Sequence, residues 1–224
     1  RYVWKSFPKN CLMSFESNVF INCPFDKFYV PLLHPLLFTV LYLDLNPLIS
    51  ETQSSGQVRV QQIKKLIVKS KYSIHDISRS EALQGKDLPR FNMPYEMGLD
   101  LGCQSFGKGK LMFKKCLVLE KTKHHYLKVI SDIGGQDIEN HDDQPKVLVR
   151  KVRNWFASVL HNHQPSPTLI WEAYNDFSDM MREKLKKESF SNDDIESLPF
   201  SNFILLAKEW IGLYKKGNSG KKIN

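Results

Sequence analysis

The feature that most constrains the fold is an alternation of short apolar runs with longer helical stretches between Asn18 and Leu160. Runs rich in β-branched and aromatic residues that end in turns indicate buried strands, and the stretches between them have the spacing of helices. The predicted strands are "NVFINCPFD", "NPLISE", "KYSIHDIS", "KKCLVLEK" and a run around Gln136–Glu139. Strands separated in this way by helices form an open parallel α/β sheet, here of about five strands, with helices on both faces.

Proline and asparagine set the predicted starts of three helices. In "KFYVPLLHPLLFTVLYL", Pro31 lies near the start, but Pro35 interrupts the apolar run, so we expect the helix to begin near Pro35. "NMPYE" predicts a helix with Asn92 as its N-cap, and "PKVLVRKVRNWFASVL" predicts an amphipathic helix that opens on Pro145. A further amphipathic helix is predicted in "QVRVQQIKKLIVKS".

The alternation of strands and helices ends at "HNHQPSPT" and begins at Asn18, so we predict three parts of the chain. Residues 1–17 form an N-terminal extension, residues 18–160 the α/β domain, and residues 161–224 a helical appendage with a basic tail. The appendage has helices at Leu169–Lys187 and Pro199–Lys216, separated by the polar "ESFSNDDIES". We expect these helices to pack on the sheet domain or to cover its site.

Composition limits the classes of partner. The formal net charge of +8 permits phosphate-bearing partners, although much of the excess lies in the tail "YKKGNSGKKIN". No stretch interleaves basic residues with aromatic ones, which disfavours direct binding of nucleic acid.

The longest apolar stretch is broken by His34, Pro35 and Asp44, and the chain opens without an apolar leader segment, so we predict a cytoplasmic protein that does not span a membrane. The 4 cysteines lack metal-ligand spacing, so no metal site is predicted, and they indicate thiols in a reducing compartment.

Ligands of open parallel sheets bind outside the carboxyl ends of the strands, which gives a candidate site from chain order alone. The residues that follow the first three strands, or begin the helices after them, are Asn22, Pro24, Phe25, Asp26, Ser50, Glu51, Arg59, His75, Asp76, Ser78, Arg79, Asn92, Tyr95 and Glu96.

Glu96 is the candidate with the clearest chemistry. The helix dipole favours its ionised form, while Met93, Tyr95 and Met97 exclude water and raise its pKa. Such a carboxylate is suited to attack on, or stabilisation of, an oxocarbenium-like ribosyl centre. The alternative is that Glu96 belongs only to a helix cap with Asn92.

The other candidates also have structural interpretations. Asp76 either orients a ribose hydroxyl or base, or braces the loop after its strand. His75 alternates with Asp76, so it points to the opposite face of the sheet, where a structural histidine is favoured. Arg59 is either a phosphate ligand or a solvated charge on its helix.

Five segments resemble a family of uncharacterised bacterial proteins: "VFINCPFDKFYVPLL", "SGQVRVQQIKKLI", "YSIHDISR", "LPRFNMPYEMGLDLG" and "ISDIGGQDI…VRNWF". The phrase "RFNMPYEMG" is the most specific of them. That family is similar to Toll/interleukin-receptor (TIR) domains and nucleoside 2-deoxyribosyltransferases, and the resemblance covers roughly residues 18–156.

The resemblance implies a flavodoxin-like fold that cuts or exchanges the bond between a ribose and a base. It places Glu96 at the catalytic position and Asp76 at the acid of the preceding strand, with "NCPFD" lining the ribosyl or nicotinamide pocket. It implies NAD as the substrate, no required cofactor, a role in antiphage defence, and a homo-oligomer or a partner defence protein. A nucleotide sensor without activity and a nucleoside deoxyribosyltransferase remain the alternatives.

Overall fold

In a computed structural model, the described residues are 14–50, 59–79 and 91–219, and they contain one five-stranded sheet. The strands are β1 (Asn18–Asn22), β2 (Asn46–Ile49), β3 (Tyr72–Asp76), β4 (Lys115–Glu120) and β5 (Asp137–Asn140). All neighbouring strands are parallel, in the order β2-β1-β3-β4-β5. The predicted open parallel sheet of flavodoxin-like α/β type is therefore confirmed.

Helices cover both faces of this sheet. They are α1 (Val30–Tyr42), α2 (Arg59–Lys69), α3 (Asn92–Phe106), α4 (Tyr126–Val129), α5 (Pro145–Leu160), α6 (Pro167–Lys187), α7 (Asn192–Glu196) and α8 (Phe200–Ser219). Successive residues of β1 point to opposite faces: Val19 and Ile21 join the core under α1 and α5, whereas Phe20 packs on Ile63 and Ile67 of α2. Because α2 also packs on α3, these two helices lie on the face opposite α1 and α5.

The predicted start of α1 near Pro35 is wrong. The helix begins at Val30, with Pro31 in its first turn and Pro35 inside it. Pro35 lacks an N–H to pair with the Pro31 carbonyl, so the helix loses a hydrogen bond near its start. Burial of the surrounding leucines, such as Leu33 and Leu36, outweighs that loss.

The prediction of Asn92 as an N-cap is also wrong. The backbone N–H of Tyr95 donates to the carbonyl of Phe91 at 3.0 Å, which moves the start of α3 one residue earlier. Asn92 is the first helical residue, its side chain is exposed, and no side chain caps this helix. Glu96 is therefore not part of a capping box.

The C-terminal helices share the larger core of the molecule. α6 and α8 pack on α1, and α6 also packs on α5. The segment predicted only as a polar separator contains α7, which has a capping box of Ser191 and Asp194. The structure therefore places these helices on the sheet face opposite α3.

Within residues 14–50, 59–79 and 91–219, every helix is too short or too polar to span a lipid bilayer.

Candidate active site at the carboxyl edge of the sheet

The strand order creates a crevice between β1 and β3. The chain leaves β1 towards β2 on one side and returns to β3 on the other, so this is the switch point where open α/β sheets bind ligands. Asn22, the last residue of β1, lies opposite His75 of β3 in the sheet register. Residues 23–29 after β1, residues 77–79 after β3 and the first turns of α2 and α3 meet at this edge.

Glu96 lies in this crevice as a buried carboxylate with 5% of its surface exposed. Its Oε1 lies 3.6 Å from Nη2 of Arg59, the first residue of α2. Burial raises the pKa of Glu96, while Arg59 and His75 act in the opposite direction. Among the described residues, none donates a hydrogen bond to this carboxylate, and Arg59 is its one ion-pair partner.

Asn22 ties the end of β1 to the helix that carries Glu96. Its Nδ2 donates to the carbonyl of Met93 and to Nδ1 of His75, both at 3.0 Å. Met93 lies one helical turn before Glu96, so the hydrogen bond to its carbonyl fixes the start of α3 relative to the sheet.

A buried polar network continues from Asn22 beneath α3. Nδ1 of His75 faces the Asn22 amide, and Nε2 of the same ring lies 2.9 Å from Oδ2 of Asp100. Lys114 Nζ lies 3.0 Å from the other Asp100 oxygen and donates to the Ile67 carbonyl at 2.9 Å. The network joins β3, α2 and α3 and agrees with the structural interpretation of His75.

Three members of this region have the spacing of metal ligands. Atoms of His75, Asp100 and Cys116 lie within 4.8 Å of one another, and all three residues are buried. The ammonium group of Lys114 already neutralises Asp100, and a cation beside it would be repelled. We therefore assign no metal ion to this cluster.

Asp76, at the end of β3, is fully buried among donors from three segments. It accepts from the Tyr29 hydroxyl and from the Ser78 backbone N–H at 2.8 Å, and Nε2 of His141 lies 3.1 Å away. The Asp143 backbone N–H donates to Nδ1 of His141, and Nε2 is the ring nitrogen nearest to Asp76. Burial alone would raise the pKa of Asp76, but these contacts hold it below its usual value.

The carboxylate of Asp26 organises the loop between β1 and α1. Asp26 accepts from the backbone N–H groups of Phe28 and Tyr29 at 3.0 and 3.1 Å, which fixes the entry into α1. Cys23 is a buried free thiol, and its pKa is raised by burial first and then by Asp76, Asp26 and Glu96. Three of the predicted acids, Asp26, Asp76 and Glu96, therefore act electrostatically on the Cys23 thiol.

Other predicted site residues take different positions. The ring of Phe25 lies 5.9 Å from that of Phe200 and packs towards the C-terminal helices, while Pro24 is buried in the same loop. Tyr95 and Asn92 are exposed on the surface of α3. The structure brings Glu96 together with Arg59 and Asn22, and Asp76 with Ser78 and, through Tyr29, with Asp26. Glu51 lies outside the described residues.

Buried polar atoms without a hydrogen-bond partner among the described residues concentrate at this edge. They include Asn22 Oδ1, Ser50 Oγ, Arg59 Nε and Arg79 Nε. Buried polar groups are nearly always paired, so these atoms are the candidates at this edge for contacts with a polar ligand. The two guanidinium groups favour a ligand that carries negative charge.

Tyr29 and His141 were not predicted from the sequence. His141 directly follows β5, so the strand-end argument finds it when it is extended to the fifth strand. Tyr29 has no comparable signal, because its hydroxyl reaches Asp76 from the turn before α1.

Comparison with protein-family models, with curated proteins and with solved structures gives no match to this chain.

Proposed function

We propose that the protein is an N-glycosidase that cleaves the bond between ribose and base in NAD or a related nucleotide. The observation that carries the proposal is the environment of Glu96. It is a buried carboxylate at the switch point, beside one arginine, with no donor among the described residues to occupy its oxygens. The sequence resemblance to TIR and deoxyribosyltransferase proteins supports the same position.

The proposed reaction needs only groups of the chain, the substrate and water. The bond between C1′ and the nicotinamide nitrogen breaks, and its electron pair leaves with the neutral base. The ionised Glu96 stabilises the oxocarbenium-like C1′ or bonds to it. Water then adds to C1′ and releases a proton, which gives ADP-ribose. Arg59 favours the ionised form of Glu96, while burial keeps the carboxylate basic enough to react.

The neighbouring groups have positioning roles in this scheme. Arg59 and Arg79 are placed to meet the phosphates, since each has a buried Nε without a partner in the described part of the chain. Asn22 Oδ1 and the Ser50 hydroxyl offer hydrogen bonds to ribose or base. Asp76 acts through Tyr29 and His141, because its contacts hold the loops after β1 and β5 in place.

A nucleotide sensor is the second candidate. It is favoured by one observation: the loop after β1 leads directly into α1, on which α6 and α8 pack. A ligand that orders this loop would therefore act on the element that carries the C-terminal helices.

The test is incubation of the protein with NAD, NADP and a panel of deoxynucleosides, followed by chromatography for the released base. We expect nicotinamide release by the wild type and by Glu183→Gln, which removes an exposed acid of α6, but not by Glu96→Gln. If every ligand is recovered intact but calorimetry detects binding, the protein is a nucleotide sensor and not a glycosidase. Release that requires a second base as acceptor would identify a transferase.

A further inference from the structure

A second cavity, of about 430 Å³, lies between the first turns of α1 and α5 on one side and α6 and α7 on the other. Volumes of this size are typical of small-molecule sites. It lies on the α1 and α5 face of the sheet, whereas Glu96 is carried by α3 on the opposite face. The segment 23–29, which leads into α1, contributes to both sites: Lys27 lines the cavity, and the Tyr29 hydroxyl donates to Asp76.

Aromatic rings line one part of this cavity. The rings of Trp171 and Tyr174 lie 5.6 Å apart at 34° to each other, and both residues are half-buried. His34 also lines the cavity, and one face of its ring is stacked on Phe203 at 4.1 Å. Burial and the nearby Arg182 lower the pKa of His34 to about 4, so its imidazole is neutral at pH 7. These surfaces are suited to a flat heterocycle.

Positive charge lines the mouth of the cavity. Lys27 and Arg182 are both exposed there, opposed by the single carboxylate of Glu196. The guanidinium of Arg182 makes no hydrogen bond or ion pair with any residue that the structure describes. Pro145, the first residue of α5, also lines the cavity, and no side chain caps that helix. Two cations and the start of a helix against one acid favour an anion.

We infer that this cavity binds a small molecule of the nucleoside monophosphate class, with its phosphate at Arg182 and Lys27 and its base against Trp171 and Tyr174. The inference does not depend on the proposed glycosidase activity. It does connect the two sites, since Lys27 and Val30 flank Tyr29, whose hydroxyl donates to Asp76. A ligand here therefore contacts residues before and after Tyr29 in the chain, and Tyr29 anchors the loop after β1 to Asp76.

The experiment is titration with AMP, followed by calorimetry and by tryptophan fluorescence, with adenosine, ribose 5-phosphate and inorganic phosphate as separate arms. We expect AMP to bind more tightly than each fragment. Arg182→Gln should weaken AMP binding by about tenfold or more, since it removes a charge-assisted contact to phosphate. Lys186→Gln removes the same charge from an exposed position of the same helix and should leave the affinity unchanged. Trp171→Phe should reduce the fluorescence change.

Three results would overturn the inference. The first is no binding of AMP to the wild type at millimolar concentration. The second is an equal loss of affinity in Arg182→Gln and Lys186→Gln, which would show general attraction to a basic surface. The third is loss of binding in Arg59→Gln with full binding in Arg182→Gln, which would place AMP in the crevice beside Glu96.

Discussion

At the scale of single residues, two buried carboxylates at the same edge have opposite environments. Glu96 has a raised pKa, because burial outweighs the opposing effects of Arg59 and His75. Asp76 has a lowered pKa, because contacts with His141, Ser78 and Tyr29 outweigh its burial. A carboxylate kept basic is suited to react, and one held ionised by several donors is suited to position its neighbours.

The pH dependence of the proposed reaction should respond to Arg59. Its replacement by Gln removes a cation that lowers the pKa of Glu96, so that pKa rises further. Because the ionised carboxylate is the reactive form, the acid limb of kcat/KM should move to higher pH. Base release measured across pH checks this, with Lys65→Gln as the control from an exposed position of α2. If the acid limb of kcat/KM in Arg59→Gln stays at the wild-type pH, Arg59 does not lower the pKa of Glu96.

At the scale of elements, Asp76 holds together the segment before α1, the end of β3 and the loop after β5. Its contacts to Tyr29 and His141 are both buried and come from opposite sides of β3 in the sheet order. Removal of a buried charge that several donors share is costly, because the donors then lose their acceptor.

We expect Asp76→Asn to lower the free energy of unfolding at pH 7 by about 3 kcal/mol. The pKa of Asp76 is lowered by folding, so its contribution is present above the unfolded pKa, near 4, and is lost as pH falls through the folded pKa. The difference between the two proteins should therefore shrink in acid. Urea unfolding at several pH values measures it, with the exposed Asp176→Asn as control. If the difference in unfolding free energy between the two proteins stays constant down to pH 3, the charge of Asp76 is not the cause of its stabilising effect.

The elements that the sequence predicted are those with a local pattern. The strands follow apolar runs that end in turns, and the amphipathic α5 spans the predicted Pro145–Leu160. The errors at Pro35 and Asn92 arose where burial and a backbone hydrogen bond outweighed local preference. Contacts such as Tyr29 with Asp76 join segments far apart in the chain, so no local pattern contains them.

At the scale of the whole molecule, the C-terminal helices and the sheet domain share one core. Phe203 of α8 is 1% exposed, and its ring packs on Phe177 of α6 and stacks with His34 of α1. The sequence left open whether these helices pack on the domain or cover its site. Their amphipathic pattern shows that they bury a face but does not identify the surface that covers it.

A shared core predicts that the chain unfolds in one transition. Phe203→Ala should lower the free energy of unfolding by about 3–5 kcal/mol, because it leaves a cavity between α1, α6 and α8. Leu205→Ala, at a site that is 61% exposed, should change it by less than about 0.5 kcal/mol. Circular dichroism and tryptophan fluorescence during urea unfolding check both values. Separate transitions, with only one shifted by Phe203→Ala, would contradict a shared core.

The most direct test of the proposed site is a comparison of turnover and binding in Glu96→Gln. We expect NAD turnover to fall by about a thousandfold or more, since the amide can neither attack nor stabilise the ribosyl cation. The Kd for NAD from calorimetry should change little, and the unfolding midpoint should not fall, because a buried carboxylate becomes a neutral isostere. Turnover in Glu96→Gln equal to that of the wild type would show that Glu96 is not the reacting carboxylate.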